Sequence, residues 1–432
     1  MNYVVLILMI ILFVYILFKQ RSFDYFTVLV ASTIIYYFPL VIGKIRPSEY
    51  SEATTDIVSS VYLCVIAFII VLFIFVFVND KYKFTFNGMK IFNEYESEKR
   101  TYDDYSTNLA VCILDIIGIV LLMYVYALYG GFSANFSKVA LLSESNRLTE
   151  YFKYIALFSF VYAFINTGRF ITFIRVISII LIGYTFLLGH RSFIFLGLIG
   201  ILLFRLGNGT KVQLSSFLRK HKILVIVVLF SCFFFMFVKG VFTAFMTGQF
   251  ELVKLRLSNP EYYQNAFLTS ESNSIVCNLQ RVCANNMKYS ILDFITGFIQ
   301  LIPVLGNLIA IRTDYISFEM KLNKQFNSQL KEGIGLASTF LGESYSMGGI
   351  IIEVLISIMV FILILWFEKK LYSTNNGLIA TFFSVILPYF TFYIHRNSLI
   401  FLLIMARAYL YILLLMLMLS LVIRSLPYNK AT

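Results

Sequence analysis

Residues 342–367 read GESYSMGGIIIEVLISIMVFILILWF. A glycine-rich turn with one acid, Gly342-Glu343-Ser344-Tyr345-Ser346-Met347-Gly348-Gly349, passes without a linker into an apolar run. Apolar runs of about 18 or more residues read as membrane-crossing helices, because a helix satisfies its own backbone groups in hydrocarbon. The pattern recurs on both sides of this stretch. Eleven spans are expected, over 3–18, 22–43, 57–78, 108–130, 153–168, 172–189, 192–206, 223–243, 343–367, 377–394 and 397–423.

Composition points the same way. Of 432 residues, 59% are hydrophobic and 13% charged, with mean hydropathy +0.83. A soluble domain carries roughly 25% charged residues. The fold class expected is all-α, a polytopic helix bundle of the membrane with one large outer loop that carries interfacial helices. Three segments follow: 1–243 with spans one to eight, 244–342 as the large outer loop, and 343–432 with spans nine to eleven. Met1-Asn2-Tyr3 lacks a basic n-region and no small-residue cleavage site follows, so no cleavable signal is expected.

The net charge of +12 is spread over short loops rather than one basic face, which argues against nucleic acid as a partner. It does orient the chain. One set of alternate loops holds Lys19 and Arg21; Lys81, Lys83, Lys90, Lys99 and Arg100; Arg169 and Arg175; Arg205, Lys211, Arg219, Lys220 and Lys222; Lys369 and Lys370; and Arg424 and Lys430. Short loops enriched in Lys and Arg face the cytoplasm. The N-terminus and the long polar run Thr247–Ser346 are then outside, and the C-terminus is cytoplasmic. Within that run, Ser290–Ile311 is apolar but carries Asp293, Gln300, Pro303, Gly306 and Asn307. It reads as an interfacial or re-entrant helix pair broken at Pro303. Cys277 and Cys283, six apart, are either a local disulfide or two free thiols.

Two very short outer loops carry the same dipeptide, Gly189-His190-Arg191-Ser192 and His395-Arg396-Asn397-Ser398. Arginine forks match phosphate oxygens in a bidentate way; the competing reading is anchoring to lipid headgroups. Lys239 either snorkels or joins this cationic rim. Glu343, among small residues at the outer end of span nine, is either a general base or an acid placed by a helix dipole. Glu353 and Arg407 are expected at similar depth as a structural ion pair, since buried charges are costly alone. Asp115 has no assignable partner, and Asp103-Asp104 reads as part of a solvated loop. No Cys/His grouping has metal-ligand spacing, and no nucleotide-binding loop is present; neither metal nor cofactor is expected.

Together these features resemble the O-antigen and capsular polysaccharide repeat-unit polymerases, the Wzy-type family. The resemblance rests on Gly333-Ile334-Gly335 through Gly342-Glu343 to Gly348-Gly349, on Gly189-His190-Arg191-Ser192, and on the overall layout. Many members have two sizeable outer loops, and this chain has one. The resemblance implies a multi-pass enzyme of the cytoplasmic membrane. It would join undecaprenyl-pyrophosphate-linked oligosaccharide repeat units, with membrane lipids and a chain-length regulator protein as partners. Arg191 and Arg396, with Arg312, Lys239, His190 and His395 as further substrate-binding residues, would hold the diphosphate, and Glu343 would deprotonate the acceptor. Tyr262, Tyr263, Tyr289, Tyr315 and Phe326 offer sugar-stacking faces.

Three rivals are weighed against this. A lipid-linked oligosaccharide flippase would show internal repeats with midplane charges. An O-antigen ligase would carry a histidine in the large loop, whereas the three histidines here are His190, His221 and His395. A structural or channel subunit would not need the glycine-acid exit.

Overall fold

The computed structural model describes residues 1–19, 21–22, 24–45, 54–82, 85–86, 89–90, 104–128, 147–187, 190–206, 211–212, 241, 248–259, 271–302, 315–326 and 337–425. The helices, in chain order, are α1 (Asn2–Phe18), α2 (Tyr25–Tyr37), α3 (Pro39–Ile42), α4 (Ser59–Tyr82), α5 (Tyr105–Leu128), α6 (Arg147–Ile165), α7 (Ile171–Leu187) and α8 (Arg191–Leu206). They continue with α9 (Phe250–Ser258), α10 (Glu271–Ala284), α11 (Ile291–Ile299), α12 (Phe318–Phe326), α13 (Phe340–Ser373), α14 (Gly377–Thr391) and α15 (Leu399–Ser425). Strand structure among the described residues is confined to three antiparallel pairs of two-residue segments, as where Lys44-Ile45 faces Thr55-Asp56.

The protein is an all-α membrane protein. Among the described residues, Ser59–Asp80 of α4 and the whole of α5, α13 and α15 are long and apolar enough to cross a bilayer, and six shorter apolar helices accompany them. The apolar surface is not all inward. On α13, Ile351, Leu355, Met359, Ile362 and Trp366 form an exposed stripe, with Ile351 at 75%. A stripe of that length would be untenable against water and suits lipid.

The chain divides into two compact units. The first takes Met1–Lys83, Lys211–Ile362 and Phe392–Phe401; the second takes Phe84–Thr210, Leu363–Thr391 and Leu402–Thr432. The first unit therefore draws on all three linear segments read from sequence. Its core centres on Phe361, whose ring meets Phe26, Phe68 and Phe75 at 5.9, 5.5 and 5.3 Å. These edge-on contacts are a favoured aromatic arrangement.

In the second unit α6 packs on α5, α7, α8 and α14. Pro388 lies inside α14 and has no N–H to give the carbonyl of Ser384 one turn earlier. Gly200 of α8 fills that place; a Cβ on Gly200 would collide with the Ser384 carbonyl oxygen. The carbonyls that end α6 are also claimed, by Arg175 Nε on Ala163 (2.9 Å) and Arg205 Nη2 on Phe164 (2.6 Å). Cations there complement the negative end of the helix dipole.

Three local readings are decided by the fold. Asp104 is not a solvated loop residue but the N-cap of α5: its Oδ1 accepts the Ser106 N–H at 3.1 Å, and Arg424 pairs with its Oδ2. Cys277 and Cys283 are both buried thiols rather than a disulfide. They share α10, where residues six apart lie on different faces about 9 Å apart along the axis, beyond disulfide reach. Burial pushes the two thiols up, to about 11 and about 12. Asp115 has a partner, the hydroxyl of Ser159, which donates to its Oδ1. The eighth expected span lies outside the described residues except for Val241.

The apolar stretch in the large loop is now clearer. α11 covers only Ile291–Ile299, capped by Ser290, whose hydroxyl accepts the Leu292 N–H at 3.1 Å. Nine residues span roughly 14 Å, under half a bilayer core. Ile291, Leu292 and Ile295 are exposed on it, while Gly297 lies against Ile400. Pro303 lies outside the described residues.

Candidate functional site

The site is built on the turn between α14 and α15, residues 392–398, inside the first unit. Four helices hold it and the residue that follows: α2 holds His395, α10 holds Arg396, α12 holds Ser398, and α13 holds Leu399 at the start of α15.

His395 is fully buried. Its Nε2 lies 3.2 Å from the Thr33 hydroxyl, which already donates its hydrogen to the Leu29 carbonyl at 2.7 Å. Nε2 therefore carries the hydrogen and donates. The rings of Tyr36, Tyr37 and Phe68 surround the imidazole at 5.6, 5.1 and 5.6 Å. Burial pushes its pKa down to about 3. His395 is thus a neutral anchor for the turn.

Arg396 points the other way. Its guanidinium pairs with Glu271 in the first turn of α10 and lies 5.2 Å from the Tyr393 ring. The two paired side chains are 34% and 38% exposed.

Ser398 is the N-cap of α15. Its hydroxyl accepts the Phe401 N–H at 3.2 Å and donates to Glu319 Oε1 at 2.8 Å. Ser338 donates to the same oxygen at 3.0 Å. One residue on, the Leu399 N–H donates to Glu343 Oε2 at 2.6 Å. Two carboxylates thus meet at the N-terminus of α15, whose orphan N–H groups and dipole favour negative charge. Glu343 is 1% exposed. Glu319 is partly exposed, and burial raises its pKa, offset in part by the hydroxyls of Ser398 and Ser338.

Glu343 owes its place to the start of α13. Thr339 caps that helix by accepting the Gly342 N–H at 2.7 Å. A kink at Gly348-Gly349 then separates this first part from the long apolar one; Gly349 has φ +70°, ψ −156°, open in practice only to glycine.

The other expected residues fall elsewhere. His190 precedes α8 in the second unit, its ring 6.0 Å from Phe193. Arg191 is the first residue of α8, and its side chain lies outside the described part. Arg312, Lys239, Tyr262 and Tyr263 lie outside the described residues, as does the side chain of Phe326. Tyr289 offers no stacking face: it is 2% exposed, packed on Phe318 at 5.5 Å with the Lys321 ammonium 5.8 Å from its ring. Tyr315 is partly exposed. Glu353 and Arg407 belong to different units, and Glu353 Oε1 accepts from the Ser357 hydroxyl at 3.3 Å.

Glu271, Glu319 and Ser338 did not stand out in the sequence, and Ser398 stood there only as the end of the second His-Arg loop. Glu319 sits in an ordinary amphipathic helix, and its partners Ser338 and Ser398 are 19 and 79 residues away. Among the described residues, no group of three or more His, Cys, Asp or Glu could hold a metal ion. No family model, no curated protein and no solved structure matches the chain.

Proposed function

We propose that this protein is a polysaccharide polymerase of the cytoplasmic membrane. It joins undecaprenyl-pyrophosphate-linked oligosaccharide repeat units at the outer face, for O-antigen or capsule. The chain crosses the membrane eleven times, with its N-terminus outside and its C-terminus in the cytoplasm. Arg396 stabilises the departing diphosphate as charge develops on it. Membrane lipids and a chain-length regulator protein are its neighbours.

The observation that carries this reading is the turn 392–398. Helices of the large polar segment, α10 and α12, close directly onto the turn that presents Arg396, through Glu271 and through Glu319. An arginine for the diphosphate, a carboxylate and a loop over both are what transfer from a diphosphate donor needs.

A deletion strain tests the reading. A polymerase null leaves surface lipid bearing a single repeat unit, and complementation restores the ladder. Loss of even the single-unit form would sink the assignment and favour a flippase or ligase. Arg396→Ala, at wild-type membrane levels, should leave the single-unit form only.

A further inference from the structure

Resting on the polymerase reading, we propose that Glu319, rather than Glu343, takes the proton from the attacking sugar hydroxyl. Three features of the first unit converge on this. The first is access. Glu343 is 1% exposed and its Oε2 is bound to the Leu399 N–H; a bulky oligosaccharide hydroxyl has no route to it. Glu319 is partly exposed, and the two hydroxyls that hold it both act on Oε1.

The second feature is orientation. Ser338 and Ser398 fix one carboxylate oxygen at 3.0 and 2.8 Å. Ser398 is itself fixed as the cap of α15. A base held by packed partners delivers its second oxygen in one direction, which is the preorganisation general-base catalysis requires. The third feature is placement. Ser398 stands two residues from Arg396 in one short turn. Ser398 thus ties Glu319 of α12 to the turn that carries Arg396.

The step balances. The acceptor hydroxyl oxygen forms a bond to the anomeric carbon of the donor, and the bond from that carbon to the diphosphate oxygen breaks. The electron pair leaves with the diphosphate beside Arg396, and the hydroxyl proton passes to Glu319. Burial raises the Glu319 pKa, which brings the base closer to the working pH and strengthens it as a proton acceptor.

The test uses the purified full chain in nanodiscs, with lipid-linked repeat units extracted from the deletion strain, and follows polyprenyl diphosphate release against pH. Glu319→Gln should lower the maximal rate on the order of 10²–10⁴-fold, with KM little changed. The rising limb of the pH profile should vanish with it. Glu319→Ala should regain rate on addition of formate, which replaces the lost carboxylate. Should Glu319→Gln keep the wild-type rate and pH limb, the proposal is overturned. It is also overturned if activity falls but the limb survives and formate restores nothing, since Glu319 would then be only a tie between α12 and α15. Failure of the polymerase reading looks different: the wild-type chain itself releases no polyprenyl diphosphate from that extract.

Discussion

The Glu343 carboxylate accepts the backbone N–H of Leu399 at 2.6 Å, so the acid at the start of one long helix caps the start of another. Thr339 secures its own helix, and Glu343 is left to serve α15. Replacing it should act on stability. Glu343→Gln keeps an acceptor for the Leu399 N–H and should lose little. Glu343→Leu strands the Leu399 N–H and should cost about 1–3 kcal/mol. Thermal unfolding of the purified protein in detergent distinguishes the two; equal losses would contradict the capping role.

His395 should make stability depend on pH. Burial lowers its pKa to about 3, against about 6.5 in an unfolded chain. The folded state needs the neutral ring. The stability it contributes is complete above pH about 6.5 and is lost as pH falls towards 3, at up to about 1.4 kcal/mol per pH unit. His395→Phe fits the same aromatic surroundings without titrating. The gap in melting temperature between wild type and this variant should therefore change between pH 7.5 and pH 5; a constant gap would refute the assignment.

Arg396 and Glu271 are joined by a partly exposed ion pair, with side chains 34% and 38% accessible. Such pairs contribute about 0–1 kcal/mol. Glu271→Gln should leave the melting temperature nearly unchanged while uncovering the guanidinium. Retention of the protein on immobilised pyrophosphate should then increase, and Arg396→Ala should abolish it.

At the other end of α15, Asp104 combines two roles, N-cap of α5 and partner of Arg424. Asparagine caps as well as aspartate, so Asp104→Asn should lose only the exposed ion pair. Asp104→Ala should lose about 0.5–2 kcal/mol. The Asp104 pKa is lowered: burial opposes this, and the bonds from Ser106 and Arg424 outweigh it. Its contribution is thus present at neutral pH and disappears on acidification below about pH 4. Denaturant titrations of the three proteins order the losses.

Cys277 and Cys283 should behave as buried thiols. With pKa values pushed to about 11 and about 12, neither forms thiolate at neutral pH. Maleimide should label both only after denaturation, and mass spectrometry of the alkylated loop peptide should show no loss of two hydrogens.

Much of the architecture could be read without coordinates. Ten of the expected spans coincide with helices, from Asn2–Phe18 to Leu399–Ser425, and the described part of the apolar loop segment is the short helix Ile291–Ile299. The dipeptide at 395–396 was legible as special. Its two halves were not separable, because nothing local says that His395 turns into an aromatic cage while Arg396 turns out to Glu271.

By itself the sequence determined the membrane class, the approximate helix boundaries and the polar character of the loop. Those follow from hydropathy and chain length, which are properties of consecutive residues. Only the tertiary structure decided which carboxylate is enclosed and which is open. Glu343 and Glu319 look alike along the chain. The difference arises because α15 begins beside both, giving Glu343 a backbone N–H in a closed space and Glu319 two hydroxyls at its margin. Partners that far apart in sequence leave no local trace, since burial and hydrogen bonding at such a site belong to the assembled helices rather than to any one of them.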